Sequence, residues 1–239
     1  MRNPAIHPDS TEPIVHAAHT DYSPEYPMTS STDLAALLCS RLCHDMLSPV
    51  GALSNGLELL ADEKDPEMRR RCFELLEQSA RISADKLKFF RLAYGAAGGF
   101  GDAVPTDEPR ELIAAIVSAN ERLQLDWAVT EPTLPKPAIK VLLNLAAIGV
   151  DSLVRGGVLA VGAENRGRAT EIAVRASGPK VAFDSTIGKA LDGSLDEAEL
   201  SGRTAPAHMI RLLTEELGGG VQYALSGEAL IMGAVLPNG

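Results

Sequence analysis

His44 and Asp45 stand side by side in the run Cys43-His44-Asp45-Met46-Leu47-Ser48-Pro49, with a proline five residues past the histidine. An imidazole titrates near neutral pH and keeps a nitrogen lone pair available for attack on an electrophile. A carboxylate beside it can hold the proton on the other ring nitrogen. The plainer reading makes His44 an ordinary surface residue and Asp45 a solvated charge. Pro49 weighs against it. A proline inside a helix removes one hydrogen bond and clashes with the carbonyl four residues back, at a cost of about 3 kcal/mol. Here that carbonyl belongs to Asp45, and local distortions of this kind often accompany function.

A long helix must carry these residues. Apolar side chains recur at Leu38, Leu42, Met46, Pro49, Leu53, Leu57 and Leu60, the spacing of a helix face packed on other helices. His44 follows Leu42 by two positions, roughly 200° around the helix, so its imidazole points away from the packed stripe. Ser31, Thr32 and Asp33 are cap candidates, and the helix can run to about Asp62. Asp62-Glu63-Lys64-Asp65-Pro66 is a polar break with a proline suited to a first helical position. A second helix then runs to about Tyr94, before the linker Gly95-Ala96-Ala97-Gly98-Gly99.

The second helix has two apolar stripes. One holds Met68, Cys72, Leu75, Ile82, Phe89 and Ala93; the other holds Leu76, Ala80, Leu87, Phe90 and Tyr94. A lone hairpin offers one partner face, so two stripes predict a homodimer whose paired hairpins form a four-helix bundle. A flexible linker argues against the second domain covering the spare faces. Equal rise on both helices puts His44 level with Ser83, making Arg81, Ser83 and Lys86 candidate neighbours. Cations there could offset the charge of a phosphorylated histidine.

The chain has 239 residues, enough for two small domains, and few aromatics, so aliphatic side chains must fill its cores. A net charge of −10 argues against general nucleic-acid binding. No apolar run approaches the ~20 residues needed to span a bilayer, and the first residues lack the order of a secretory signal. Cys39, Cys43 and Cys72 are odd in number and fall in helical patterns, which fits a reduced cytoplasmic protein without a disulfide frame or metal site. Residues 1–31, rich in Pro, Ser and Thr, are expected to be a disordered tail, in which His7, His16 and His19 lack partners at ligand spacing.

The hairpin domain is expected over residues 32–95 and a second domain over 104–237. The latter alternates a helix from Pro109 to Leu123, a strand from Leu125 to Val129 and a helix from Lys136 to Val154. Strands follow at Val158–Ala163 and Thr170–Ala176, then a helix from Pro206 to Leu217 and a hairpin of Val221–Leu225 with Ala229–Val235. Helices on one side of a mixed or antiparallel sheet make an α/β sandwich, and the whole chain is an α+β protein.

His44-Asp45 with Pro49 resembles the H-box of sensor histidine kinases, and Leu143-Asn144-Leu145-Ala146-Ala147 resembles the start of their N-box. Met209-Ile210-Arg211-Leu212-Leu213 through Leu217-Gly218-Gly219-Gly220-Val221 resembles the helix and glycines after the kinase ATP lid. From Asp33 to Pro237 the chain is similar to bacterial histidine phosphotransferases of the ChpT type. Its departures from the kinases set the expected function. Ile148 stands where the kinase N-box carries a second, Mg²⁺-holding asparagine, and an apolar side chain cannot ligate that cation. Ala176 replaces the adenine-binding aspartate before Ser177-Gly178-Pro179, and Arg203-Thr204-Ala205-Pro206-Ala207-His208 lacks the lid glycines. His208 then reads as an ordinary residue in the first turn of its helix.

The resemblance implies phosphoryl transfer through phospho-His44 between receiver aspartates, without ATP and with no cofactor bound by this chain. The donor would be the receiver of a hybrid kinase and the acceptor a response regulator, each bringing its own Mg²⁺. Asp45 would hold the reactive tautomer. Receivers would dock around Arg41, Leu47, Ser48 and Gly51, with Arg81 and Lys86 as further contacts. An active autokinase and a non-catalytic scaffold that binds response regulators are the alternatives.

Overall fold

A computed structural model describes residues 30–95 and 102–238. The expected tail and its three histidines fall outside these, apart from Ser30 and Ser31, and so does the linker beyond Gly95. Helix α1 spans Ser31–Asp62 and α2 spans Pro66–Ala93. Ser30, one residue ahead of the expected caps, closes a capping box on α1. Its hydroxyl accepts from the Asp33 N–H at 3.2 Å while the Asp33 carboxylate accepts from the Ser30 N–H at 3.2 Å. Asp65 caps α2, with Pro66 at its first position. Arg69 donates to the Leu60 and Glu63 carbonyls at 3.1 and 2.9 Å, satisfying two acceptors freed at the end of α1. Where the helices cross most closely Gly56 faces Leu76, and a Cβ added at Gly56 would lie 2.8 Å from Leu76 Cδ2.

Helix α3 (Asp107–Ser118) leads the second domain, followed by α4 (Lys136–Ser152), α5 (Ser185–Asp192) and α6 (Ala205–Glu216). Strands β1 (Ala103–Pro105) and β3 (Thr133–Pro135) form a small antiparallel pair. The main sheet joins β2 (Leu123–Trp127), β4 (Gly157–Arg166), β5 (Ala169–Ser177), β6 (Gly220–Leu225) and β7 (Ala229–Pro237) in the order β2-β4-β5-β7-β6. Only β2 and β4 run parallel, so the sheet is mixed. The α+β architecture is as expected, with local differences. The α3 helix stops at Ser118 because Asn120 turns the chain, its Oδ1 accepting the Arg122 N–H at 3.1 Å. Helix α5 was not expected. It is short, starts on the Asp184 side chain and ends at Gly193 with φ of 79°.

Alternate residues of the sheet, Leu159 and Val161, Ile172 and Val174, Leu230 and Met232, are buried beneath α4, the period-two signature of a sheet covered on one face. The same core takes in Phe89, Phe90, Leu92 and Ala93 from the end of α2, with Leu42 and Met46 of α1 packed against it. Arg91 pairs with Glu108 across the junction. The second domain therefore does cover the base of the hairpin, against expectation. The ends of both α2 stripes carry Phe89, Phe90 and Tyr94, large side chains that join this core. Away from this junction Leu57 of α1 and Phe73, Leu75 and Leu87 of α2 are exposed, while Cys72 is buried.

Candidate functional site

His44 projects from α1 with its side chain 83% exposed. Its Nδ1 lies 3.2 Å from Asp45 Oδ1. The other oxygen of that carboxylate, Oδ2, accepts from Arg41 Nε at 2.7 Å, one helical turn back. Burial works against the charge of Asp45. Hydrogen bonds from Arg41 and His44 and the positive charges of Arg41 and Lys86 outweigh it and hold the carboxyl below its ordinary pKa. Asp45 is thus an ionised, acceptor-only group at neutral pH. Neutral His44 must then donate from Nδ1, which leaves the Nε2 lone pair free and facing solvent.

Pro49 and Lys86 complete the arrangement. Pro49 has no N–H to offer the Asp45 carbonyl, and Lys86 Nζ of α2 donates to that oxygen at 2.7 Å. A cation from the second helix thereby fills the gap left by the proline, directly beneath the histidine–aspartate pair. Sequence periodicity placed Pro49 correctly but showed nothing of this strap.

Between α1, α4 and α6 a cavity of about 60 Å³ is lined by Arg41, Tyr94, Asn144, Ile148, Asp151 and Arg203. Small-molecule pockets hold about 300–1,000 Å³. Asn144 is buried and spends its amide on the Lys140 carbonyl at 2.8 Å. Ile148 and Ala176 are buried, and Arg203 pairs with Asp184 at 3.2 Å. Burial pushes the Tyr94 hydroxyl up to about 12; Arg41 opposes the shift and Asp45 and Asp151 add to it, so the phenol stays neutral. A larger depression of about 990 Å³ lies on the uncovered face of the sheet, and no hairpin residue lines it.

Leu47, Ser48 and Gly51 share the outward side of α1 with His44, and a Cβ at Gly51 would meet nothing within 4 Å. Arg81 does not reach the site: it pairs with Glu77 on its own helix at 3.2 Å. Ser83 is buried in the seam, its hydroxyl donating to the Ser79 carbonyl at 2.8 Å. Lys86, and not Ser83, is level with Asp45, about one turn off the equal-rise expectation. The break between the helices explains the offset. Glu63 and Asp65 are extended and carry the chain past the end of α1 before α2 turns back, at ~3.3 Å per residue instead of 1.5 Å. The role of Arg41 as an anchor for Asp45 was also missed, although an arginine four residues before an aspartate on a helix was a visible signal.

Among the described residues no group of three or more His, Cys, Asp or Glu is placed to hold a metal ion, and no helix is long and apolar enough to cross a membrane.

Residues 106–229 match the family model for the histidine phosphotransferase C-terminal domain. Over 205 residues the chain is 34% identical to the protein phosphotransferase ChpT of Brucella abortus (strain 2308), covering 86% of this chain and 96% of that protein. Among solved structures a bacterial phosphotransferase superposes with a TM-score of 0.75 at 31% identity, over 87% of this chain and 98% of its own.

Proposed function

The chain belongs to the histidine phosphotransferase family, and we propose that in a two-component phosphorelay it carries phosphoryl groups between receiver aspartates on His44. The observation that carries this reading is the division of labour on the imidazole: Asp45 takes Nδ1 at 3.2 Å, and Nε2 is left open on a ridge that a partner protein can reach.

In the proposed step the Nε2 lone pair attacks the phosphorus of an aspartyl phosphate. The N–P bond forms, the acyl P–O bond breaks, and the aspartate leaves as a carboxylate. The Nδ1 proton stays between His44 and Asp45, whose negative charge offsets the imidazolium that develops, much as a carboxylate steadies histidine in other nucleophilic sites. The reverse step hands the group to a second aspartate. Mg²⁺, held by the acidic pocket of the receiver, supplies charge neutralisation on the transferred oxygens; His44 and Asp45 alone are too few to form a cation site here.

Two finer points belong to the same reading. The small volume of the cavity beside α4, about 60 Å³, supports transfer without ATP. The tip of the hairpin supports a homodimer. Val50 and Leu57 of α1 and Phe73, Ala80 and Leu87 of α2 are turned in the same sense from the seam, which in an antiparallel pair brings them to one flank. The opposite flank carries His44, Ser48 and Asn55 with Leu75 and Ile82 beside them, leaving it free for the receiver of a hybrid kinase or for a response regulator.

The test is incubation with a ³²P-labelled, phosphorylated receiver domain. Acid-labile label on the wild type and none on His44→Ala is the expected result. A labelled His44→Ala protein, or label drawn directly from ATP, would overturn the assignment.

A further inference from the structure

We propose that Arg41 is a positioning residue through which the second domain sets the reactive tautomer of His44. The proposal rests on reading His44 as the nucleophile. It assigns Arg41 to orientation within the molecule in place of the partner contact expected from its sequence position.

The two oxygens of Asp45 have different partners. Oδ1 meets His44 Nδ1 at 3.2 Å, while Oδ2 takes the shorter, charge-assisted bond of 2.7 Å from Arg41 Nε. The shorter bond fixes the plane of the carboxylate, and that plane decides whether Oδ1 faces the imidazole. Asp45 without Arg41 would be a short side chain on a helix surface with several staggered rotamers open to it, most of which lose His44. Lys86 cannot substitute, because it holds the backbone carbonyl of Asp45 and not its carboxylate.

Arg41 is in turn placed by the second domain. Its side chain is only 28% exposed, and a terminal nitrogen lies 3.7 Å from Asp151 Oδ2 at the end of α4. Its backbone packs on the segment that leads into α6: a Cβ added at Gly202 would stand 3.5 Å from Arg41 N and 3.7 Å from Arg41 Cβ. Arg41 and Asp151 also line the cavity of about 60 Å³ together with Tyr94. The remnant of a nucleotide cleft thus becomes a socket for the arginine that aims the aspartate. This gives the second domain a part in the transfer step that needs no nucleotide. The Asp151 carboxyl is largely open to solvent, so its pair with Arg41 is the weaker link of the chain.

The experiment compares wild type, Arg41→Gln, Arg41→Lys and Asp151→Asn in three readouts. These are the ¹⁵N shifts of the His44 ring nitrogens, the single-turnover rate of transfer from a phosphorylated receiver, and the affinity for that receiver. Arg41→Gln should lose the Nδ1–H signature and slow transfer about 10- to 100-fold, the scale expected for a misplaced reacting group, with receiver affinity unchanged. Arg41→Lys should restore part of both, and Asp151→Asn should give a smaller change that vanishes in the Arg41→Gln background. An unchanged tautomer in a folded Arg41→Gln protein would overturn the proposal. So would a rate loss explained wholly by weaker receiver binding, which would make Arg41 a docking residue. His44→Ala, run alongside, separates the premise from the proposal: transfer surviving in that variant would sink the nucleophile itself.

Discussion

Arg41 and His44 lie within one turn of α1, yet one lines a cavity of about 60 Å³ with its side chain 28% exposed and the other stands on a ridge, 83% exposed. In the kinase-like plan the first region would receive a nucleotide and the second would receive its phosphate. Here the ridge presents His44 to solvent, and the cleft side is a cavity of about 60 Å³ in which Asn144 is buried and bonded to the Lys140 carbonyl. The contrast shows how little the ridge requires. On the proposed reading an exposed imidazole needs orientation, which Asp45 and the residues beneath it would supply, and a phosphoryl donor, which another protein would bring. On the proposed reading the second domain serves the ridge through its packing on Arg41.

Four changes would break or sharpen this contrast. The largest effect is expected at the hairpin tip. Leu57→Glu combined with Phe73→Glu places charge on the exposed flank assigned to the dimer, and light scattering should show the mass falling to that of one chain, 25.3 kDa. A mass unaffected by both changes would put the dimer contact elsewhere. Next comes Ile148→Asn, which returns the kinase residue to the closed cleft. A buried apolar side chain is replaced by an amide with no partner, so chemical denaturation should show a loss of about 2–4 kcal/mol. Calorimetry should still detect no ATP binding, and tight binding would mean the cleft opens readily.

A smaller effect is expected at the proline strap. Lys86→Met should cost about 1 kcal/mol by leaving the Asp45 carbonyl short of a donor. In a Pro49→Ala background, where the backbone N–H is restored, the same change should cost close to nothing, and the difference between the two is the measure of the strap. The least effect concerns pH. His208 is buried, and burial, followed by the charge of Arg211, holds its imidazole below the ordinary range while Glu197 and Glu215 pull the other way. As pH falls below about 6.5 the unfolded chain takes up a proton that the folded chain refuses, so stability declines. His208→Gln should flatten that decline between about pH 7 and 5. The depressed carboxyl of Asp45 acts in a separate window. Its contribution is complete above about pH 4 and is lost as pH falls through its lowered folded value.

Much of this was legible in one dimension because the physics is local. Pro66 marks the start of α2, and the 3–4 spacing marks the face of α1 that packs on its neighbours. The family resemblance is borne out by the match over residues 106–229 together with the 34% identity over 205 residues to a protein phosphotransferase. What escaped was short or long-range. Helix α5 and the β1–β3 pair are too brief to show a period. The register of the hairpin depended on a break of extended residues whose length along the axis no periodicity reports. The pairing of Arg41 with Asp45 was within reach, but its approach to Asp151 joins residues from separate domains and has no signature in the chain. Arg81 was drawn toward the histidine by its charge alone, and its own helix supplied a nearer partner in Glu77.

The proposed transfer requires that Asp45 occupy Nδ1 and leave Nε2 of His44 to take the phosphoryl group. The most direct measurement is ³¹P NMR of the chain after transfer from a phosphorylated receiver, compared with standards for the two phosphohistidine isomers. A single acid-labile resonance of Nε2-phosphohistidine is the predicted result. A resonance from the Nδ1 isomer, or one that persists in His44→Ala, would contradict the account.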